Sequence, residues 1–255
     1  AEGLDALGAV TGRSVLYAFD FDGTLAGISS DRGSVTLSAD VYEGLHALAA
    51  RVPCAIVSGR AISDLTPRVN GVVPYLIGNH GLESPLTSVT TLNEAERVCL
   101  GWMNQVNGDL AGPLKDAGVE VEHKHYTLTF HYRGGDEPVM VERALALLLD
   151  RLTPAPRLIA GKASVNVLPP GSATKGEATL ALMRHLQREG LFFIGDDETD
   201  EDVFGLEEGL IMGVRVGRQP HSRAGYYLKH QGQIEDVLRL LVHRLDHTPE
   251  TIRPE

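Results

Sequence analysis

The run Val15-Leu16-Tyr17-Ala18-Phe19 leads directly into Asp20-Phe21-Asp22-Gly23-Thr24, and this junction constrains the fold more than any other stretch of the chain. Five consecutive apolar or aromatic residues rich in strand formers describe a fully buried strand, and Gly23-Thr24 is turn chemistry. Asp20 and Asp22 therefore stand at a strand's C-terminal end, the edge at which open α/β sheets bind ligands. Two carboxylates separated by one residue can share a hard cation while keeping different chemical tasks. Taken alone, the pair is equally at home as a strand or helix cap, so the rest of the chain has to decide.

Ser38 can cap a helix whose apolar residues Val41, Leu45, Leu48, Ala49 and Val52 follow helical spacing, and Pro53 ends it. Cys54 to Val57 reads as a second buried strand with Ser58-Gly59-Arg60 at its end, followed by a short helix over Ile62 to Val69. Val73 to Ile77 makes a third strand and delivers Gly78-Asn79-His80-Gly81. Right-handed crossover places these strands parallel, with Ser58 on the same edge as Asp20.

From about Leu92 the pattern changes: a helix through Gly112, β-formers over Val119 to Tyr132, a helix over Val139 to Leu152, and a strand region over Arg157 to Val167. These elements do not alternate in short βα units, so residues 84–171 read as an α+β insertion between core segments 1–83 and 172–255. The core resumes at Thr174-Lys175-Gly176-Glu177, whose Thr and Glu have capping-box spacing, which puts Lys175 in a helix's first turn. Leu191 to Ile194 is a fourth strand and delivers Gly195-Asp196-Asp197-Glu198-Thr199-Asp200-Glu201-Asp202; Ile211 to Val216 adds a fifth strand, and Ile234 to Leu245 a closing helix.

Composition excludes several classes. Thirty-four acids against 23 bases give a net charge of -11 with no Lys/Arg block, so no nucleic acid is expected as a partner. An acidic chain that handles an anion must supply positive charge locally. The longest strongly apolar helical stretch, Ala144 to Leu149, is far short of the ~20 residues of a membrane span. Cys54 and Cys99 have no metal-ligand company and read as buried apolar residues of a reducing, cytoplasmic compartment. Ala1 to Thr11 lacks the charged and apolar regions of a signal peptide. A monomer without membrane partners is expected.

In this order, the Asp20-x-Asp22-Gly23-Thr24 strand end, the Ser58 strand end, the Lys175 helix start and the Gly195-Asp196-Asp197 strand end resemble the haloacid dehalogenase superfamily of phosphotransferases. The resemblance implies an α/β fold: a Rossmannoid core with a mostly parallel sheet, plus an inserted α+β cap domain. It implies Asp20 as nucleophile and Asp22 as the group that protonates the leaving oxygen and then deprotonates water. It implies Mg²⁺ held by Asp20, the main-chain carbonyl of Asp22 and Asp196, with Asp197 and Asp200 orienting its waters. Gly23, Thr24, Ser58, Gly59, Arg60 and Lys175 are the implied phosphate-binding group.

Gly78-Asn79-His80-Gly81-Leu82-Glu83, Lys124 followed by His131-Tyr132-Arg133, Gly161-Lys162 with Pro169, and the Gly195-to-Asp202 motif are similar to those of the trehalose-6-phosphate phosphatases. In that family the insertion is a mobile cap that grips the disaccharide, which implicates Glu122, Lys124, His131, Arg133 and Lys162 in substrate binding, and the resemblance adds Asn166 and the core loop residues Asn79, His80 and Gly81. Where the family usually has a Glu and then a basic residue, this chain has Asn166 and Leu168. Sucrose 6-phosphate or a glycosyl-phosphoglycerate therefore stay open as alternative substrates of a sugar-phosphate phosphatase, and a phosphomutase as an alternative activity. Lys124 and His131 differ by an odd number of residues, so on one regular strand they would face opposite sides. Both can serve one sugar only if the segment breaks near His125-Tyr126.

Overall fold

The structure is a computed structural model and describes residues 14–29, 33–132, 145–161, 163–208 and 210–247. The chain divides into two units, Ala1–Pro85 with Thr174–Glu255, and Leu86–Ala173. The first unit opens with β1 (Val15–Phe19), α1 (Ala39–Ala49), β2 (Cys54–Val57), α2 (Ile62–Val69) and β3 (Tyr75–Ile77). The second contains α3 (Val89–Asn107), α4 (Ala111–Asp116), β4 (Val119–His123), β5 (Leu128–Tyr132), a helical stretch over 145–149, β6 (Arg157–Gly161) and β7 (Ser164–Leu168). The first unit is completed by α5 (Lys175–His185), β8 (Gly190–Gly195), α6 (Glu201–Phe204), β9 (Leu210–Val216), β10 (Tyr226–Leu228) and α7 (Ile234–His247).

Six strands form the sheet of the first unit in the order β10-β9-β8-β1-β2-β3, and every neighbouring pair is parallel. The continuous apolar run of β1 is explained by burial on both faces. Tyr17 and Phe19 join a core with Val41, Leu45 and Leu48 of α1 and Leu238 and Leu241 of α7. Leu16 and Ala18 join another with Leu182 and Met183 of α5 and Phe204 of α6. From β1 the chain first winds outward through β2 and β3, and later returns to the other side of β1 through β8, β9 and β10. The strand order thus reverses between β1 and β8, which makes their carboxyl ends a topological switch point.

In the second unit the sheet order is β4-β5-β7-β6, all antiparallel. Its apolar face, with Val119, Leu128, Phe130 and Val167, packs on Cys99, Trp102 and Leu149. The Trp102 indole N–H reaches Pro154 O at 2.9 Å, so the largest side chain of this core is satisfied as well as buried.

Four details differ from the periodicity. The helix expected through Gly112 stops at Asn107, because Gly108 leaves helical geometry (φ -95, ψ -107) before α4 begins. Arg157 to Val167 is a hairpin of two strands rather than one strand region; the chain reverses at Ala163 in left-handed geometry (φ +51), a residue type that carries no turn signal. β3 begins two residues later than expected, and β10, only three residues long, has no periodicity to reveal it. The segment between Lys124 and His131 does break: β4 and β5 form a hairpin whose turn carries His125 at φ +68. Ala1 to Thr11, the first part of the helix expected over Val139 to Leu152, Arg133 and Lys162 lie outside the described residues. Among the described residues no helix is long and apolar enough to cross a membrane.

Candidate active site

Asp20 follows β1 and Asp196 follows β8, and the strand register pairs Phe19 with Ile194. Asp20 donates its backbone N–H to Ile194 O at 2.8 Å, which fixes the two strand ends side by side. Lys175 arrives from elsewhere as the first residue of α5, behind a complete Thr174/Glu177 capping box. Its Nζ donates to Asp20 Oδ1 at 2.8 Å and to Asp200 Oδ1 at 2.9 Å, with all three side chains nearly inaccessible to solvent. A cation in a helix's first turn opposes the helix dipole at a cost of up to about 1 kcal/mol. Breaking a buried pair costs about 3–5 kcal/mol, so the two carboxylates decide where Lys175 sits.

Asp200 is the hinge of the arrangement. While Oδ1 accepts from Lys175, Oδ2 accepts from the amides of Asp196 and Asp197, both at 2.9 Å. Asp197 in turn caps Glu198 N with its own carboxylate at 2.8 Å, opening the short 3-10 turn that carries Asp200. Glycine is required twice here: a Cβ at Gly195 would lie 2.4 Å from Asp200 Cγ, and one at Gly23 would lie 2.3 Å from Asp196 Oδ2. Arg215, 4% exposed on β9, holds the same loop from below through Asp197 O (3.0 Å) and Glu201 Oε1 (2.7 Å).

Asp20, Asp196 and Asp200 each offer a carboxylate oxygen within 4.8 Å of the others. Burial pushes the Asp20 carboxyl well above its ordinary range; Lys175 opposes this, and Asp200 and Asp196 add to it. Burial disfavours the Lys175 charge too, but the Asp20 and Asp200 carboxylates outweigh it and hold the ammonium protonated. Three carboxylates around one ammonium leave negative charge in excess, and an all-oxygen donor set suits a hard divalent cation. Asp200 spends both oxygens on Lys175 and the loop amides, so Asp20 and Asp196 are the better donors.

The other expected residues fall as follows. Ser58 stands just past β2, 1% exposed, its Oγ accepting from Arg60 N at 3.1 Å. Thr24 is fully buried, and its Oγ1 has no hydrogen-bond partner among the described residues. Arg60 directs its guanidinium to Asp22 (2.7 Å to each oxygen) and to Asp64 (2.8 Å). Asn79 is buried and spends its amide on Glu83 Oε2 at 2.7 Å; the same oxygen accepts from Ile62 N, which ties the loop after β3 to α2. His80, at φ +57, packs so closely that a Cβ on Gly59 would lie 2.5 Å from its ring. Gly81 is buried beside it.

In the second unit the antiparallel register puts Glu122, Thr129, His131, Ser164 and Asn166 on one face of the sheet. His131 Nε2 lies 2.8 Å from Glu122 Oε2, Lys124 Nζ lies 4.0 Å from the same oxygen, and Thr129 Oγ1 donates to Asn166 Oδ1 at 2.8 Å. Sequence reasoning gave no role to Asp64 or Arg215: Asp64 sits four residues from both Arg60 and Arg68, a helical spacing that could have found it, whereas the partners of Arg215 are set by tertiary packing.

The profile of the trehalose-phosphatase family matches residues 18–223 of this chain. A trehalose-phosphate phosphatase of Mycobacterium tuberculosis is 34% identical over 217 residues, covering 80% of this chain and 55% of that protein. The chain therefore spans about half the length of that curated relative. The solved C-terminal domain of a C. albicans trehalose-6-phosphate phosphatase superposes with a TM-score of 0.75 at 23% identity, over 94% of this chain and 95% of that one. A haloacid dehalogenase-like hydrolase from Bacteroides thetaiotaomicron shares the fold at a TM-score of 0.61 and 16% identity, over 88% of this chain and 98% of that one. With a haloacid dehalogenase-like α/β fold, a parallel sheet whose switch point carries Asp20 and Asp196, and a profile match across most of its length, the chain belongs to the trehalose-phosphatase family.

Proposed function

We propose that this chain hydrolyses trehalose 6-phosphate to trehalose and inorganic phosphate through an aspartyl-phosphate intermediate, with Mg²⁺ as cofactor. The observation that carries the reading is the buried Lys175 nitrogen between Asp20 and Asp200 at the switch point of the sheet. Asp20 attacks phosphorus, the bond from phosphorus to the sugar oxygen breaks with its electron pair on that oxygen, and Asp22 gives the oxygen a proton. Asp22 then takes a proton from water as that water attacks the same phosphorus. The bond to Asp20 breaks, phosphate leaves, and both side chains return to their starting states. Asp20, Asp196 and the carbonyl of Asp22 would hold Mg²⁺, which when bound neutralises phosphate oxygens. Ser58, Thr24 and the charge of Lys175 serve the remaining phosphate oxygens.

Lys124, His131 and Asn166 on the polar face of the second unit's sheet are read as the sugar-selecting group. A second reading, another sugar phosphate as substrate, is favoured by one contact: Asn166 already accepts from Thr129 at one of its carbonyl oxygen's two acceptor sites, leaving a single acceptor site and two amide N–H donors for a sugar. The two buried cysteines fit the expected reducing, cytoplasmic setting. Phosphate release from trehalose 6-phosphate, sucrose 6-phosphate and glucosyl-phosphoglycerate, with and without Mg²⁺ and without a bisphosphate primer, tests the whole reading. Trehalose 6-phosphate should lead by at least ~10-fold in kcat/KM. Turnover that requires a primer would instead make the chain a mutase.

A further inference from the structure

Arg60 makes a planar, two-pronged contact with the carboxylate next but one to Asp20. Its Nε donates to Asp22 Oδ2 and its Nη2 to Asp22 Oδ1, both at 2.7 Å. The third nitrogen, Nη1, donates to Asp64 Oδ2 at 2.8 Å. Asp64 is itself held from the far side, Oδ1 accepting from Arg68 Nη2 at 2.6 Å and Nε at 3.1 Å. Arg68 Nη1 is anchored on the backbone by Gly33 O (2.9 Å) and Val35 O (2.8 Å). Beneath the fork, the Arg60 guanidinium carbon lies 5.6 Å from the centre of the buried Phe21 ring. An aromatic face and a doubly held carboxylate thus fix the guanidinium, whose remaining edge fixes Asp22.

We propose that Arg60 is a positioning residue for Asp22 and not a ligand of the phosphate. The inference rests on the reading of Asp22 as acid and base. An edge already engaged on both oxygens of a carboxylate is not the edge offered to a phosphate oxygen. The Arg60 side chain is only 12% exposed against 41% for Asp22 and 43% for Asp64, and a bidentate pair within a charge network also adds some stability to this turn. What a bidentate fork adds beyond that is geometry, since it sets the plane of the carboxylate as well as its position. That plane decides which way an Asp22 oxygen points when one prong is exchanged for the leaving oxygen or for water. Because Arg60 works through Asp22, its loss affects only the steps that Asp22 performs.

The test compares wild type, Asp22→Asn, Arg60→Met, Arg60→Lys, Asp64→Asn and the Asp22→Asn/Arg60→Met double variant in the presence of Mg²⁺. The substrates are trehalose 6-phosphate and p-nitrophenyl phosphate. kcat/KM reports steps only through phosphoryl transfer to Asp20, where a sugar alkoxide needs a proton and p-nitrophenolate hardly does. Arg60→Met should lower kcat/KM for the sugar phosphate by about 10–100-fold, within the range a general acid supplies, and for the aryl phosphate by less than about 3-fold. Arg60→Lys should fall nearly as far, because an ammonium cannot hold both oxygens. Asp64→Asn, at a half-exposed side chain, should move the same ratio in the same direction by about 3-fold, and supplies the readout if Arg60→Met does not fold. The double variant should match Asp22→Asn within about 2-fold, the mark of two residues acting as one. Inhibition by inorganic phosphate should be unchanged in Arg60→Met. Equal losses on both substrates with weaker phosphate inhibition would make Arg60 a phosphate ligand and overturn the proposal. A further loss in the double variant would overturn it too. If Asp22→Asn alone spares the sugar phosphate, the reading of Asp22 fails first, and that result is obtained without touching Arg60.

Discussion

A Cβ on Gly23 would stand 2.3 Å from Oδ2 and 2.7 Å from Oδ1 of Asp196, so the turn after β1 and the carboxylate after β8 occupy adjoining space with no room for one more atom. Gly23 also sits at φ +87, where an L side chain is strained by about 1–3 kcal/mol. Gly23→Ala should therefore displace Asp196 more than it disturbs the sheet. The concentration of Mg²⁺ giving half-maximal phosphate release should rise by at least ~10-fold while the far-ultraviolet circular dichroism spectrum keeps its shape. An unchanged Mg²⁺ requirement would separate Asp196 from the metal.

The buried carboxylate of Asp20 makes an opposite kind of prediction, one about stability. Burial holds its folded pKa above the unfolded one, so the stability it contributes is complete below the unfolded value and lost as pH rises through the folded value. At neutral pH without metal, Asp20 therefore costs stability. Asp20→Asn should abolish phosphate release yet raise Tm in EDTA at pH 7.5, by about 2–4 °C for each kcal/mol recovered. Lys175→Met should do the reverse, leaving two buried carboxylates without their cation at a cost of about 3–5 kcal/mol. Thermal unfolding of both variants checks the sign; a lowered Tm for Asp20→Asn would refute it.

Both thiols should be silent. Burial pushes Cys54 and Cys99 up to about 12, so almost no thiolate exists at pH 7 to 9 and little surface is offered to a reagent. Titration with a disulfide-exchange reagent at pH 8 should find no fast thiol in the native protein and both in denaturant. A fast-reacting native thiol would contradict the packing of β2 or α3.

Lys124→Ala and His131→Ala should lower kcat/KM for the cognate sugar phosphate while sparing a small aryl phosphate, because binding energy from the sugar is realised only with the sugar present. Since Lys124 and His131 both lie against Glu122, Glu122→Gln should share the effect. Equal losses on the aryl phosphate would assign these residues to the fold of the hairpin.

What could be read in the sequence follows from how local its cause is. β1 and β8 were legible because a strand buried on both faces must be apolar at every position, and each ends abruptly in carboxylates. The capping box ahead of Lys175 was legible because Thr174 and Glu177 meet within one turn. The fork of Arg60 on Asp22 was not, since it joins residues 38 apart whose meeting depends on β1 and β2 lying in register. The same holds for Arg215 under the Asp197 carbonyl. Asp200 was expected near the metal, but its use as a clamp between Lys175 and two amides is a tertiary result that the acidic run conceals.

The position of β1 between β2 and β8 also governs when the protein can come into existence during synthesis. β2 and β3 emerge soon after β1, but the strand on its other side is made only after all of residues 86–173, which have a core of their own. Until then one flank of β1 carries unanswered N–H and C=O groups along five apolar residues, the kind of edge on which nascent chains associate. Ribosome-arrested chains ending at Ala173 are accordingly expected to be adhesive toward one another, a tendency that ends for this flank of β1 when β8 pairs with it.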